Sequence, residues 1–185
     1  AIGTTAVTAT ATDDSGNTST CSFDVTVADT TNPEIACSAN VSAEATSSAG
    51  AAVTYDAATA TDTGDDSVAV TYSQASGSTF AIGTTTVTAT ATDDSGNVST
   101  CSFDVAVVDT TVPTITCAAN VSAEATSAAG AAVSYDVAIA TDIGDDSVAI
   151  TYSAASGSTF AIGTTTVTAT ATDDAGNTAT CTFDV

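Results

Sequence analysis

The sequence "AIGTTTVTATATDDSGN" at residues 81–97 occurs almost unchanged at residues 1–17 and 161–177. Within it Val87, Ala89 and Ala91 alternate with threonines, which is the period-two pattern of a strand with one buried face. The copies begin at residues 1, 81 and 161, so the repeat period is 80 residues, about the size of a small domain. The chain is therefore predicted to be a tandem array.

A second alternating stretch, "STCSFDVAVVD" at residues 99–109, places Cys101, Phe103, Val105 and Val107 on one face. The residues "DDSGN" between the two stretches favour a tight turn, so the pair is predicted to form a β-hairpin. Shorter strands are predicted in "PEIAC" from Pro33, "AAVTYDA" from Ala51 and "VAVTYS" from Val68. About six or seven short strands per repeat predict an all-β fold of tandem antiparallel β-sandwiches of immunoglobulin type in an extended array.

The predicted domains are residues 1–29, 30–109 and 110–185. The first supplies the C-terminal strands of a preceding repeat, and the other two, called here the first and second repeats, are sandwiches. Because Ala1 falls in the middle of a repeat, we expect a window of a longer, processed chain, with any export signal or anchor outside it. No stretch of 18 apolar residues is present.

The charge balance narrows the possible partners. The chain has 22 acidic residues, no lysine, arginine or histidine, and a net charge of −22. Such a charge repels phosphate backbones and anionic lipid, so we expect no nucleic-acid partner and no direct membrane insertion. Enzymes commonly use a histidine base, a lysine nucleophile or an arginine clamp, and all three are missing. We therefore predict no catalytic residues and no enzymatic activity.

Five cysteines indicate disulfides, which would stabilise a core made mostly of alanine and valine. Cys37 shares a face with Ile35, and Cys101 shares one with Phe103, so both thiols are predicted to enter one core. This favours the pairs Cys37–Cys101 and Cys117–Cys181, with Cys21 bonded to a preceding repeat. The alternative pairs Cys21 with Cys37 and Cys101 with Cys117 across the linkers and leaves Cys181 unpaired. Either scheme places the protein outside the reducing cytosol.

Acidic residues cluster in "TDTGDDS", in the hairpin turn and at the linker. Hard cations such as calcium take six to eight oxygen ligands, which such loops supply. The candidate calcium ligands are Asp62, Asp65, Asp66, Asp93, Asp94, Asp109, Asp142, Asp145, Asp146, Asp173 and Asp174. The alternative is that these residues only form turns and face solvent.

Two further features concern the surface and the linkers. Asn-x-Ser/Thr sequons occur at Asn17, Asn40, Asn97 and Asn120, which are possible glycosylation sites in a secreted protein. The linkers "VADTTNPEI" and "VVDTTVPTI" each contain a proline, Pro33 and Pro113, which restricts itself and its predecessor. Short, stiff linkers favour a near-fixed relation between neighbouring repeats.

The segments "DTTNPEIAC", "NVSAEATSSAGAAVTYDAATATD" and "SGSTFAIGTTTVTATATDDSGNVSTCSFDVAVVD", in this order, resemble the hyalin repeat (HYR) domain, an immunoglobulin-like extracellular module used in adhesion. The most specific parts are the Gly-Thr-Thr-Thr-Val strand, the Asp-x-x-Gly-Asn turn and the Cys-x-Phe-x-Val strand. The resemblance covers nearly the whole chain. It implies a β-sandwich and a structural or adhesive role outside the cell.

The preferred interpretation is a structural repeat of an extracellular filament, stalk or matrix fibre, secreted or on the cell surface, braced by disulfides within each domain, with calcium as a candidate second brace. Its expected partners are further copies of itself in a homopolymeric fibre, or other matrix and surface components. One alternative is the stalk of a cell-surface adhesin whose binding domain lies outside this segment. Another is a subunit that polymerises by strand complementation through the hairpin at residues 1–27.

Overall fold

The computed structural model describes residues 2–65 and 67–185. That part of the chain contains 17 strands and no helix, so it also contains no helix that could cross a membrane. The strands are β1 Gly3–Thr12, β2 Thr18–Val27, β3 Glu34–Ala36, β4 Val41–Glu44, β5 Ala51–Ala52, β6 Thr59–Thr61, β7 Ala69–Tyr72, β8 Thr79–Phe80, β9 Gly83–Thr92, β10 Val98–Val108, β11 Thr114–Thr116, β12 Ala131–Ala132, β13 Ile139–Thr141, β14 Ala149–Tyr152, β15 Thr159–Phe160, β16 Thr166–Thr172 and β17 Thr178–Asp184.

The strands of the chain fall into two compact units. The first unit holds the residues up to Ala39, together with Asp56–Ala75 and Val87–Phe103. The second holds Asn40–Tyr55, Ser76–Thr86 and Asp104–Val185, and so contains the whole second repeat.

In the first unit, β1 and β2 form an antiparallel hairpin with the register Val7↔Phe23 and Ala9↔Cys21. Strands β3 and β6 pair antiparallel, and β7 pairs with the end of β9 from Tyr72↔Ala89 to Ala69↔Thr92. The side chains of Ala89 and Ala91 in β9 are fully buried.

The second repeat, in the second unit, shows the layers of the sandwich. One sheet has the strand order β14-β16-β17, and the facing strands form the pairs β11-β13 and β12-β15. Between them lies a core cluster of Ala131, Val133, Tyr135, Phe160, Val167 and Phe183. The ring centroids of Tyr135 and Phe183 are 4.8 Å apart at an angle of 65°, an edge-to-face contact that stabilises a core with few large side chains.

The burial of β9 and β10 follows the alternation in the sequence. Val87, Ala89 and Ala91 are 0% exposed, and Phe103, Val105 and Val107 are at most 4% exposed. The all-β sandwich fold class predicted from this pattern is confirmed. One detail differs from a purely antiparallel sandwich, because β4 pairs parallel with β10 from Val41↔Val105 to Glu44↔Val108.

The turn between β9 and β10 has the predicted residues in the expected roles. The N–H of Asp93 donates to the carbonyl of Asn97 at 3.1 Å, and the N–H of Gly96 donates to the carbonyl of Asp93 at 3.2 Å. Gly96 has a φ of 88°, a left-handed conformation that favours glycine. The same turn recurs at Asp173–Asn177.

Disulfides join Cys37 to Cys101 and Cys117 to Cys181, each across a sequence separation of 64 residues. These are the two pairs within repeats that were favoured because both cysteines of each pair lie on an inward strand face. Cys21 is free and exposed on the hairpin β1-β2. Each bond links the opening strand region of a repeat to its closing strand, and so restrains most of that repeat in the unfolded state.

We predict that reducing these disulfides lowers the free energy of unfolding by about 4 kcal/mol per repeat, the loop-closure value for a loop of this length. Urea unfolding of the oxidised and reduced chains measures the difference. Cys21→Ala is the matched control, since it removes an exposed thiol that closes no loop, and it should leave the oxidised chain unchanged. An equal stability before and after reduction would contradict the structural role of the bonds.

Candidate metal centre

Two groups of three aspartates come together in the structure. Carboxylate oxygens of Asp29, Asp62 and Asp93, called here the first triad, all lie within 4.8 Å of one another. Those of Asp109, Asp142 and Asp173, the second triad, meet the same limit. Each member of the second triad lies one repeat period after its counterpart in the first, so the repeat in the sequence places the same cluster twice.

Each aspartate of the first triad lies where a strand has just ended. Asp29 is in the linker after β2, Asp62 directly follows β6, and Asp93 directly follows β9. In β9 the alternation continues one residue past the strand, so Asp93 has the inward position after Ala91 and is only 5% exposed. The strand pattern therefore directs a charged side chain inward.

Asn97 compensates for the burial of Asp93. Its main-chain N–H and its side-chain amide each donate to the Asp93 carboxylate at 2.7 Å. Burial alone would raise the pKa of Asp93, but the side-chain and backbone hydrogen bonds from Asn97 and the other turn N–H groups outweigh it and lower the pKa below its usual value. Asp93 is therefore held in its charged form at neutral pH.

The same asparagine connects the turn to the linker. The Asn97 side chain also donates to the main-chain carbonyl of Asp29 at 3.4 Å, and Asn177 donates to that of Asp109 at 3.2 Å. The Asp109 carboxylate accepts the N–H of Thr111 at 3.0 Å, which fixes the linker locally. The asparagine of each turn thus donates hydrogen bonds to the carboxylate of one triad aspartate and to the main-chain carbonyl of another.

A glycine lies beside each triad, where any larger residue would displace the carboxylate of the linker aspartate. A Cβ atom added at Gly64 would lie 2.2 Å from a carboxylate oxygen of Asp29. One added at Gly144 would lie 2.2 Å from a carboxylate oxygen of Asp109. The N–H of Gly144 donates to Asp142 at 2.7 Å, so this residue also orients the second member of its triad.

One oxygen of the second triad is left without a partner. The Oδ1 atom of Asp142 is buried and has no hydrogen-bond donor among the residues that the structure describes. A buried carboxylate oxygen without a donor is costly, whereas a bound cation would satisfy it. The donor set is entirely carboxylate oxygen, which suits hard cations such as calcium and not the softer metals that prefer histidine or cysteine.

The electrostatics of the triads point the same way. Two like charges 4 Å apart repel by about 4 kcal/mol at the effective dielectric constant of a protein surface. The chain offers no lysine, arginine or histidine to offset this repulsion. Three carboxylates brought together without a basic neighbour could hold a cation, which would offset their mutual repulsion.

The structure separates the predicted acidic residues into three groups. Asp62, Asp93, Asp109, Asp142 and Asp173 belong to the triads. Asp65 and Asp145 instead accept the main-chain N–H groups of Asp94 and Asp174, at 2.9 and 3.1 Å, and so hold the hairpin turns. Asp94, Asp146 and Asp174 are exposed and lie outside both triads, and Asp66 lies outside the described residues.

Asp29 was missed by the sequence analysis. Asp109 was named as a candidate at the linker, and Asp29 is its counterpart one period earlier. The repeat period was therefore the signal that would have found it. In the structure Asp29 and Asp109 each join the triad of the repeat that follows them in sequence, so the linker carboxylate belongs to the cluster of the next repeat.

The four sequon asparagines differ in how their side chains are used. The side-chain amides of Asn17 and Asn97, the atoms that would carry a glycan, donate to Asp13 at 2.8 Å and to Asp93 at 2.7 Å. Asn40 and Asn120 are exposed, and their side-chain oxygens accept the N–H groups of Asp104 and Asp184 at 2.9 Å. Glycosylation at Asn17 or Asn97 would break a turn contact, whereas Asn40 and Asn120 keep their amide nitrogens accessible.

Fold and site together define a class: a tandem array of β-sandwiches, in which each full repeat has one internal disulfide and one acidic triad. The HYR domain family matches the chain at residues 1–27, 28–107 and 108–185. The chain belongs to this family, as the resemblance in its sequence predicted.

Two curated relatives carry the name hyalin. Hyalin of Strongylocentrotus purpuratus is 38% identical over 193 residues, which cover 100% of this chain and 16% of that protein. Hyalin of Lytechinus variegatus is 34% identical over 190 residues, which cover 98% of this chain and 36% of that protein. The chain therefore spans only a small part of the length of these relatives.

Solved protocadherin ectodomains are more distant. The structure of Protocadherin Gamma B7 extracellular cadherin domains 1–4 aligns with 99% of this chain and 57% of that chain, at a TM-score of 0.42 and 15% identity. A likeness of this strength carries no argument about function.

Asn97→Ala should raise the pKa of Asp93, because it removes the side-chain hydrogen bond that favours the charged form. Hydrogen bonds that lower the pKa of Asp93 stabilise the folded state at pH values above about 3.9, the usual pKa of aspartate. This stabilisation is lost as the pH falls through the pKa of Asp93 in the folded state. The variant should therefore lose stability at pH 7 and little at pH 2. Carboxyl NMR titration and urea unfolding at the two pH values measure both effects. Ser95→Ala, an exposed change in the same turn, is the control, and an unchanged Asp93 titration in Asn97→Ala would contradict the assignment.

Proposed function

We propose that the chain is a structural repeat segment of an extracellular filament, stalk or matrix fibre, with a non-catalytic, adhesion-type role. The observation that carries this proposal is the recurrence of one disulfide and one acidic triad at equivalent positions in both repeats. A catalytic protein gains little from copying its site along the chain, whereas a structural array needs the same brace in every unit. Membership of the HYR family and the similarity to hyalin support the proposal.

Disulfides favour a location outside the cell, either secreted or at the surface. The expected partners are further copies of the same repeat in a fibre and other components of the matrix or cell surface. A net charge of −22 makes nucleic acid and anionic membrane poor partners. In such a fibre, uniform negative charge would also discourage neighbouring chains from clumping.

Calcium is the proposed cofactor, bound once at each triad. Calcium–oxygen distances of about 2.3–2.6 Å place opposite ligands about 5 Å apart, so oxygens within 4.8 Å can share one ion. Oδ1 of Asp142, which has no hydrogen-bond donor, is the oxygen that a bound calcium ion would stabilise most. Water would complete the coordination, as it commonly does when carboxylates supply only part of the shell.

A bound ion would act as a brace. It would connect the linker aspartate, the loop after β13 and the turn after β16 in the second triad, three segments that no strand pairing joins directly. An ion that binds only the folded state stabilises it by about 2.7 kcal/mol at 100 times its dissociation constant. Extracellular calcium could thus fix the linker against the repeat that follows.

Asp173→Asn should abolish calcium binding at the second triad, because it removes a buried carboxylate, while the first triad still binds. Isothermal titration calorimetry should therefore report two ions per chain before the change and one after it. Asp174→Asn is the matched control: it removes the same charge from the adjacent exposed residue and should retain both ions. Gly144→Ala should weaken calcium binding at the same triad without changing the charge, because its Cβ would displace the Asp109 carboxylate. If Asp173→Asn and Asp174→Asn lost the same amount of bound calcium, the ions would be held by diffuse charge attraction and not by a defined site.

The hairpin β1-β2 supports a further part of the proposal, that it closes a preceding repeat. Val7 and Phe23 are 38% and 56% exposed, whereas their counterparts Val87 and Phe103 are 0% and 4% exposed. Cys21 corresponds to Cys101, which is bonded to Cys37. We infer that residues of a preceding repeat cover this face and that its opening strand supplies the partner of Cys21.

An antibody against residues 30–109 should label filaments or stalks on intact, unpermeabilised cells. Peptide mapping of that material without reduction should find Cys21 bonded to a cysteine of a preceding repeat. Because the chain has no lysine or arginine, proteases that cut at acidic residues are needed for the mapping. Labelling confined to the cell interior would contradict the location, and a Cys21–Cys21 dimer would contradict the pairing.

A further inference from the structure

The two repeats are nearly identical in sequence, and their differences are concentrated in one place. Residues 30–105 and 110–185 differ at 15 positions, and seven of these lie in or beside the short sheets β3-β6 and β11-β13. The seven pairs, with the first-repeat residue before its counterpart, are Asn32 and Val112, Glu34 and Thr114, Ala36 and Thr116, Ser38 and Ala118, Ala57 and Val137, Thr59 and Ile139, and Thr63 and Ile143.

All seven positions have the same orientation in their strands. In the second repeat β11 pairs antiparallel with β13, with Thr116 opposite Ile139. Side chains alternate between the two faces of a strand, so the changed positions, two residues apart, share a face. Pro113 and Ala138 lie between changed positions, are buried, and are the same residues in the first repeat. The differences therefore lie on the outward face of this sheet, called here the β11-β13 face.

The β11-β13 face is apolar where the first repeat is polar. Its four large apolar side chains are between 55% and 75% exposed, and they are Val112, Val137, Ile139 and Ile143. The first repeat has asparagine, alanine and two threonines at these positions, and its Glu34 is replaced by Thr114. Together the four side chains expose apolar area on the order of 400 Å², a size at which a patch on a protein surface is often functional.

Exposure of this face is the ordinary state of the sheet in this repeat. The first repeat has further chain before and after it in the sequence, and its corresponding residues Asn32, Glu34, Thr59 and Thr63 are exposed as well. Polar side chains suit a face that remains in water. The second repeat has instead placed valine and isoleucine on the same face, which is unfavourable unless another molecule covers them.

Charge determines which molecule can cover the β11-β13 face. The chain has a net charge of −22, so two copies repel one another over most of their surface. The outward positions of this face carry no charged side chain, although Asp136 at its border is exposed. Two copies can therefore approach most closely here. A basic partner would find no carboxylate on the face and would bind the acidic surface elsewhere.

The size of the face fits a weak contact that is repeated. A standard interface buries about 800 Å² on each partner, and the apolar patch supplies about half of that area. The threonines between the apolar side chains, such as Thr114 and Thr141, would form the remaining contact. Weak contacts add up when several are joined in one tandem chain, so no single face needs the area of a permanent dimer.

We propose that the β11-β13 face is a self-association surface, which binds the same face of a second copy of this chain. A two-fold contact brings identical residues together from both copies, so that Val137, Ile139 and Ile143 become buried against their counterparts. The inference rests on the proposed function, because it names the surface through which chains in a fibre lie side by side. The first repeat, which is polar at these positions, stays unassociated, so contacts occur at intervals along the array.

The test uses the 185-residue chain with Cys21→Ala, which prevents a disulfide-linked dimer. Sedimentation velocity between about 10 μM and 1 mM, where weak contacts associate, should show a reversible equilibrium between monomer and dimer. On dilution the amide NMR signals of residues 137–143 should shift, whereas those of residues 57–63 should not. Raising sodium chloride from about 20 mM to about 200 mM should strengthen dimerisation at least threefold, because salt screens the repulsion between the copies.

Variants that exchange residues between the repeats provide matched controls. The second repeat should dimerise at least tenfold more weakly when it receives the first-repeat residues by the triple change Val137→Ala, Ile139→Thr and Ile143→Thr. The first repeat is folded with these residues, so the triple variant should fold. Ile150→Val also installs a first-repeat residue, but it lies in β14, and it should leave dimerisation unchanged.

Four results would overturn the proposal. They are dimerisation of the triple variant as strong as that of its parent, equal dilution shifts at residues 57–63, weaker dimerisation at higher salt, and no association up to about 1 mM. Binding of the parent, but not of the triple variant, to neutral phosphatidylcholine vesicles without dimer formation would assign the face to a lipid surface instead. None of these results alters the expected antibody labelling of filaments or stalks, so failure of this surface is distinguishable from failure of the proposed function.

Discussion

Every carboxylate in this protein belongs to a chain without lysine, arginine or histidine. Such a carboxylate is stabilised only by N–H and O–H donors, by solvent or by a cation from solution. Asp93 and Glu44 show the first solution, since Asn97 donates to one and Thr110 to the other. For the triads we propose the last as well, because three carboxylates that face one another need more than turn amides. The acidic residues therefore organise turns and linkers where other proteins would use ion pairs.

The same restricted set of side chains explains how the sandwiches are held together. Alanine occupies fully buried positions such as Ala169 and Ala171, and small side chains bury little apolar surface. The second repeat adds directed contacts to this thin core. The hydroxyl of Tyr152 accepts the N–H of Ala138 at 2.6 Å, and the Cys117–Cys181 bond joins the strand regions that open and close the repeat. Each such bond restricts the unfolded chain, so it compensates for apolar contacts that the core lacks.

Features governed by local alternation were predictable from the sequence, and features governed by tertiary contact were not. Side chains in a strand alternate between faces, so the burial of Val87 and Phe103 followed directly from the pattern. The parallel pairing of β4 had no local signal, because the short segment between Asn40 and Ala45 carries no alternation long enough to identify. Adjacent aspartates were equally ambiguous: Asp93 turns inward and Asp94 outward, although both stand in the same turn. Asp29 was missed because its role depends on a repeat that follows it in sequence.

The linker takes part in the structure on both of its sides. Asp109 joins Asp142 and Asp173, while the next two residues, Thr110 and Thr111, donate to Glu44. The predicted domain boundary after residue 109 therefore passes between two sets of contacts, and a repeat taken as residues 110–185 would lose one carboxylate of its own triad. Inserting a residue between Asp109 and Thr110 would move either the carboxylate from the triad or the threonines from Glu44. The spacing of linker residues is thus fixed by chemistry at both ends, which gives a physical reason for a repeat period that stays constant along the chain.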